Sequence, residues 1–200
     1  MMRLLTVLVV ALGVSGCALT EDVVDISFSP TPAATERAGA KDILVKVIPN
    51  DRRIAYQDRV SSKKNGYGME MAAIKPSRPV PEIVRTALET GLAAQGYQVH
   101  VDGRDILVDV VKLYSNYQVG FFSADAQGEI ILHLSVPGTE FSRTYPANFT
   151  EPNIVIMGGA GAQAALNGAL AHIVSTIMAD EQFHAALAKR AAIASTTPAS

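Results

Sequence analysis

The sequence predicts an α+β domain, a mainly antiparallel sheet with two principal helices packed on one face, preceded by a signal peptide and a flexible tether. Three observations carry that expectation. Apolar residues recur at helical spacing in two long stretches, they alternate with other residues in several shorter ones, and a separate apolar run stands at the N-terminus. With 200 residues, 48% of them hydrophobic, the chain suffices for one domain of ordinary size and is short for two.

The first strand runs from Ile43 to Ile48, apolar on both sides, and Pro49-Asn50-Asp51 closes it. Residues 53–60 and 67–74 flank Asn65-Gly66, a type I′ turn signal, and read as an irregular hairpin. Pro79 to Gln95 is the clearest helix. Val80, Ile83, Val84, Ala87, Leu88 and Leu92 form its apolar stripe, Pro81 and Glu82 suit its first turn, and Gly96 suits the position just past its end. Tyr97 to Val101 then alternates, and Asp102-Gly103 predicts a two-residue hairpin pairing Val101 with Arg104, His100 with Asp105 and Tyr97 with Val108. Gly128 to Val136 alternates again, with Ile130, Leu132, Leu134 and Val136 on one side. Residues 140–149 return beside it, where Pro146 removes a ladder donor and marks an edge or a bulge. Ala162 to Met178 carries a wide apolar stripe, and Asp180 caps a continuation to Arg190. The domain is thus expected over residues 41–190, with 191–200 a disordered tail.

The N-terminus reads as an address. Arg3 precedes an apolar run of eleven residues, Leu4 to Val14, too short for a bilayer span of about 20 residues. Its length suits the apolar region of a signal peptide, residues 1–16. Ser15 and Gly16 before Cys17 resemble a bacterial lipobox, which implies cleavage between Gly16 and Cys17 and lipidation of Cys17. The resemblance implies three acyl chains there, and several chains hold far more firmly than one. In such proteins an Asp after the Cys signals retention in the inner membrane; Ala18 stands here, so the periplasmic face of the outer membrane is the expected location. Residues 17–40, with Pro30, Pro32 and Gly39, read as the lipidated Cys and a flexible tether, whose 23 residues after Cys17 span about 25 Å if unstructured.

Lys75-Pro76-Ser77-Arg78 before the first helix, Leu88 to Tyr97 with its Gly96-Tyr97 exit, and Val108 to Tyr114 ending in Leu113-Tyr114 resemble the YajG-type family of small Gram-negative lipoproteins, over nearly all of the mature chain. The resemblance implies location and fold and brings no catalytic residues with it.

Few constellations suggest chemistry. One Cys excludes an intrachain disulfide and a thiolate-rich metal site, and a formal net charge of −2 argues against a nucleic-acid binder. Gly159-Ala160-Gly161-Ala162-Gln163-Ala164 has the spacing of a dinucleotide-binding turn, but no second strand follows to complete a βαβ unit, so no nucleotide is expected and the glycines read as a packed helix entry. His100, His133, His172 and His184 lack metal-ligand spacing. His100 and His133 fall on the sheet face away from the helices, as a cross-strand polar pair with Asp105 or a weak metal or proton-transfer site. Asp102 is explained by its turn, and Asp105 and Asp109 stand about 13 Å apart along one strand. There is no nucleophile elbow, P-loop or Ser/His/Asp set. The chain reads as non-enzymatic, with no cofactor or metal beyond the covalent lipid on Cys17.

Two features suggest binding. Leu44, Ile48, Leu107, Val111, Leu113 and Ile131 are expected on the sheet face opposite the helices, which is too apolar for a solvated surface. Either the loops at 115–127 cover it, or a second subunit or an envelope protein does. Tyr114, Tyr117, Phe121 and Phe122 concentrate aromatic residues nearby, as core or as contact surface. Residues 50–78 hold seven basic and three acidic side chains, and Arg52, Arg53, Lys63 and Lys64 are a possible basic contact for anionic lipid or peptidoglycan unless they are simply solvated. The leading expectation is a membrane-anchored periplasmic protein that binds another envelope protein. The alternative is a carrier or transport-accessory subunit holding lipid or another apolar ligand between sheet and helices.

Overall fold

The computed structural model describes residues 20–30, 36–121 and 123–189. The expectations for the signal peptide, Gly16, Cys17, Phe122, the middle of the tether and the tail at 191–200 lie outside the described residues. The chain order is β1 (Asp22–Val24), a 3-10 turn (Ala40–Asp42), β2 (Leu44–Asp51), β3 (Ser61–Lys64), β4 (Glu70–Pro76), α1 (Val80–Ala94), β5 (Gln98–Val99), β6 (Arg104–Val119), β7 (Ala124–Ser135), β8 (Ser142–Ile154), α2 (Gly159–Met178) and α3 (Glu181–Ala188). These strands make a five-stranded sheet in the order β5-β2-β6-β7-β8 and a three-stranded one in the order β1-β4-β3.

The α+β class holds, and the large sheet is mixed, with its two longest ladders antiparallel and two shorter ones parallel. β2 runs parallel to both β5 and β6, whereas β6, β7 and β8 are antiparallel. The hairpin expected at Asp102-Gly103 does not form. Val99 and Arg104 both lie opposite Val45, on its two sides, so the chain crosses β2 instead of folding back on itself. Gly103 permits the crossing, because a Cβ there would stand 2.5 Å from the Val45 backbone. The Asp102-Gly103 signal was local, whereas the strand that captures both segments lies more than fifty residues earlier.

β6 and β7 continue through the region expected to be covering loops, leaving only a short turn closed by Gly120 N–H donating to the Ser123 carbonyl at 2.8 Å. The sheet face away from the helices therefore receives no cover from residues 115–127. β8 is an edge strand, and Pro146 lies on it opposite Ile131.

α1 ends where expected, with Gly96 at a φ of 94°. Asp180 caps α3, its carboxylate accepting from the Gln182 and Phe183 backbone N–H groups. Val45, Val47, Ile106, Val108, Val110, Leu132 and Leu134 are buried with the stripes of α1 and α2 in one core. The layers meet closely. A Cβ on Gly128 of β7 would lie 2.4 Å from the Ala165 carbonyl oxygen of α2, and one on Gly91 of α1 would lie 2.7 Å from Val174.

The expected tether is in part a structural element. β1 adds to β4 in parallel, Asp22 opposite Ile74 and Val24 opposite Pro76, and Val24 and Ile26 are buried. Full burial of side chains of this size contributes about 1.5–3 kcal/mol each, enough to offset the ordering of a short segment. Electrostatics adds direction. Glu21 pairs with Lys75 at 2.7 Å, Asp22 with Lys63 at 2.7 Å and Asp25 with Arg78 at 3.6 Å. The basic excess of residues 50–78 is met by acidic side chains from the N-terminal segment of the same chain.

The irregular hairpin exists as β3 and β4, later than expected on its first arm, and it belongs to the small sheet. Its turn is not the two-residue type I′. Asn65 Oδ1 accepts from the N–H groups of Tyr67 and Met69, and the positive φ falls at Gly68 rather than Gly66.

Candidate functional site

The helix-free face of the large sheet carries the candidate site. Leu44, Leu107 and Val111 are exposed there, and Ile48 and Ile131 are half-buried on the same face. Leu113, expected beside them, is fully buried on the opposite face. The cause is a β-bulge. Val110 lies opposite Leu132 and Lys112 opposite Ile131, so Val111 is an extra residue and every later side chain of β6 changes sides. Leu113, Ser115 and Tyr117 turn inward as a result, while Tyr114 and Asn116 turn outward.

Past the bulge, β2 leaves the edge of β6. Arg52 N–H donates to the Val110 carbonyl at 3.0 Å, residues 53–59 loop out, and the chain rejoins β6 where Ser115 N–H donates to the Val60 carbonyl at 2.8 Å. The Arg53 side chain fills the gap. Its guanidinium is buried, pairs with Asp51 at 2.8 Å, and donates to the backbone carbonyls of Tyr56, Gln57 and Arg59, each at 3.1 Å. Burial acts to raise the Asp51 pKa, but the Arg53 side-chain and backbone donors outweigh it and hold the carboxyl below its ordinary value. Arg53 is therefore an internal staple and is not presented as a basic contact.

The stapled loop projects its own surface. Ile54 at its tip is fully exposed, and Tyr56, at a φ of 56°, stacks on Tyr114 with ring centroids 4.5 Å apart. A positive φ in a bulky residue is strained and persists here because Arg53 holds its carbonyl. Between loop and sheet lies an open groove of about 890 Å³, with Val111 and Ile131 on its apolar side. Its polar side is built in rows, Tyr114, Glu129 and Asn148 opposite one another, then Asn116, Gln127 and Thr150. Burial raises the Tyr114 pKa, so the groove presents neutral phenol, amide and hydroxyl groups next to the Lys112–Glu129 ion pair at 2.5 Å. A second hollow of about 430 Å³ continues along the face past Ile48, Leu107, Asp109 and His133. This arrangement can accept and donate hydrogen bonds along a line while holding apolar side chains beside it.

The remaining sequence-predicted residues are dispersed. Arg52 is exposed and pairs with Asp109 at 3.6 Å. Lys63 pairs with Asp22, and Lys64 donates to Asn116 Oδ1 at 2.6 Å and to the Tyr117 carbonyl at 3.3 Å. His100 and Asp105 are not partners. His100 lies 3.6 Å from Asp102, and Asp105 stands opposite Lys46. β2 and β6 separate β5 from β7, so His100 and His133 do not meet; His133 contacts the Thr144 and Ser142 hydroxyls at 3.0 and 3.1 Å. His184 is buried, its Nε2 donating to the Met178 carbonyl at 2.9 Å and its Nδ1 accepting from the Tyr97 hydroxyl at 2.7 Å. Burial holds its pKa below the ordinary value of 6.5.

The glycines at the entry of α2 serve packing. Gly159 N–H donates to the Asp22 carboxylate at 2.8 Å, and a Cβ on Gly161 would lie 2.9 Å from the Tyr117 hydroxyl. That hydroxyl donates to the Gly158 carbonyl, and burial pushes its pKa up to about 12. The position an anionic ligand would take at this helix N-terminus is filled by Asp22. Sequence reasoning missed Ile54, Tyr56 and the Arg53 staple. The available signal was the break of alternation at Val110-Val111, which marks the bulge.

Among the described residues, no group of three or more His, Cys, Asp or Glu is placed to hold a metal ion, and no helix is long and apolar enough to cross a membrane. The fold and the open groove define a class, an α+β domain with helices on one sheet face and a surface of mixed apolar and hydrogen-bonding character on the other. The chain belongs to a family described as uncharacterized lipoproteins, whose model matches residues 30–188, in keeping with the YajG-type resemblance. The fold is similar to that of a Xanthomonas campestris protein of the DUF330 family, at 16% identity and a TM-score of 0.52 over 80% of this chain and 92% of that one. A minor lipoprotein of Acinetobacter baumannii is more distant, at 11% identity and a TM-score of 0.38 over 70% of this chain and 88% of that one. No curated protein matches the chain.

Proposed function

We propose that this lipoprotein is a non-enzymatic binding subunit, anchored through acylated Cys17 to the periplasmic face of the outer membrane, that holds an extended segment of another envelope protein in the groove on its helix-free sheet face. The observation that carries this reading is the groove itself, with its stapled loop and its parallel apolar and polar rows. An extended polypeptide offers backbone N–H and C=O groups along a line and side chains alternating beside it, which matches those rows. Membership of a lipoprotein family supports the anchor, and Ala18 after Cys17 supports the outer membrane over the inner. The carrier alternative needs space between sheet and helices. The contacts of Gly128 with Ala165 and of Gly91 with Val174 leave the layers no such room where they meet, which favours the groove.

A photo-crosslinking side chain at Ile131, in cells, tests the reading. The expected result is one discrete heavier adduct, identified by mass spectrometry as an envelope protein and weakened by Ile54→Asp at the lip of the groove. An adduct of twice the chain mass would make the occupant a second copy, and the absence of any protein adduct would overturn the proposal.

A further inference from the structure

Three turns meet at one end of the molecule. They are the β3–β4 turn at 65–69, the β6–β7 turn at 120–123 and the β8–α2 loop at 155–158. A Cβ on Gly68 would touch Val119 at 3.7 Å, Ala124 lies opposite Ile154, and Lys64 N–H donates to the Met157 carbonyl at 3.4 Å, so the three tips are neighbours. Each tip offers large apolar side chains to solvent. Tyr67 is 90% exposed, Phe121 93%, and Val155 and Ile156 83% each, with Met69 beside them. Residues 65–69, 119–123 and 154–161 contain no charged side chain and no His. An exposed apolar patch on a protein with an ordinary polar surface marks a protein or membrane contact.

The path of the N-terminus decides between them. β1 runs parallel to β4, which leads away from the β3–β4 turn, so the chain before Asp22 runs back toward the end that carries the apolar tips. Asp22 fixes the start of β1 through Lys63 at 2.7 Å and through the Gly159 N–H at 2.8 Å. From Thr20 back to Cys17 is three residues of chain, which reach at most about 11 Å. A domain anchored at Cys17 cannot hover at the end of a long leash.

We infer that these three uncharged loop tips form a membrane-docking surface, their Tyr67, Met69, Phe121, Val155 and Ile156 side chains entering the interface of the bilayer that holds the acyl chains. The inference rests on the reading of Cys17 as the lipid anchor. Aromatic residues favour the headgroup level, where an apolar side chain and a polar tip are both satisfied. β6 spans 16 residues, roughly 50 Å at about 3.3 Å per residue, so the opposite end, with Val101 exposed in the loop before β6, points away from the membrane. The groove on the sheet face then opens sideways into the periplasm.

The chain contains no tryptophan, so single-tryptophan variants report cleanly. Full-length acylated Ile156→Trp, Phe121→Trp and Val101→Trp proteins are placed in vesicles of phosphatidylethanolamine and phosphatidylglycerol, with or without bromine on the acyl chains; all three side chains are exposed, so the fold is retained. Emission from Trp at 156 and 121 is expected to shift to the blue and to be quenched most by bromine near the headgroup, at an interfacial depth of about 5–10 Å, while Trp at 101 does neither. Acylated protein that stays on the vesicles with none of the three quenched, or with 101 quenched like the others, overturns the inference and leaves the anchor standing. Mass spectrometry showing no acyl chains on Cys17 overturns the anchor and the inference together.

Discussion

The helix-free sheet face and the loop end both leave large apolar side chains in water, but they are built differently. On the sheet face Val111 and Ile131 alternate with Glu129, Asn148 and Gln127, and a buried arginine staples a loop at their border. At the loop end no charge interrupts the tips, and the chain that leads to Cys17 runs toward them from β1. Ordered rows of hydrogen-bonding groups are useful only to a partner with ordered groups of its own, whereas uncharged tips suit a fluid apolar phase. That difference is what motivates the two proposals, a polypeptide for the sheet face and a bilayer for the loop end.

The comparison can be broken from either side. The largest effect is expected from Arg53→Ala, which removes the guanidinium shared by the Asp51 carboxylate and three loop carbonyls and leaves Asp51 the backbone N–H of residue 53. Loss of one partner of a buried pair costs about 3–5 kcal/mol; a lower urea midpoint together with loss of the Ile131 crosslink would tie the groove to the staple. Gly128→Ala drives a Cβ into the Ala165 carbonyl and is expected to cost about 1–3 kcal/mol by overpacking, measured by thermal unfolding. An unchanged melting temperature would mean that α2 is free to move off the sheet. Asp22→Ala removes the Lys63 pair and the cap on Gly159, a loss of about 1–2 kcal/mol. Its more telling effect is at the loop end, where release of β1 lengthens the leash and should reduce bromine quenching of Trp at 156.

The smallest effect lies away from both surfaces, at His184. Burial lowers its folded pKa, so below 6.5 the unfolded chain takes up the proton first. Stability is present above the unfolded pKa of 6.5 and is lost as pH falls below it, until the folded pKa is passed. His184→Gln should flatten that part of a denaturation-against-pH profile. The lowered carboxyls of Asp22, Asp51 and Asp180 act with the same sign at lower pH.

What could be read from the sequence was local. The α1 stripe with Gly96, the Asp180 cap and the edge position of Pro146 each depend on residues within a few positions of one another. What escaped was set at a distance. Asp102-Gly103 looks like a hairpin until β2 is placed between its arms, and Leu113 looks outward until the bulge at Val111 is counted. The tether reading weighed Pro30 and Pro32 and overlooked the match between Glu21, Asp22 and Asp25 and the basic residues of 63–78. Considered apart, the prolines of the first segment suggested a leash and the basic excess of the second a contact for anionic lipid or peptidoglycan; together the two segments are one packed sheet.

The most direct test places the same photo-crosslinking side chain at Ile131 and, separately, at Ile156 in cells. The expected result is an envelope-protein adduct from position 131, weakened by Ile54→Asp, and from position 156 only lipid adducts. A protein adduct at 156 and none at 131 would reverse the assignment of the two surfaces and contradict both proposals.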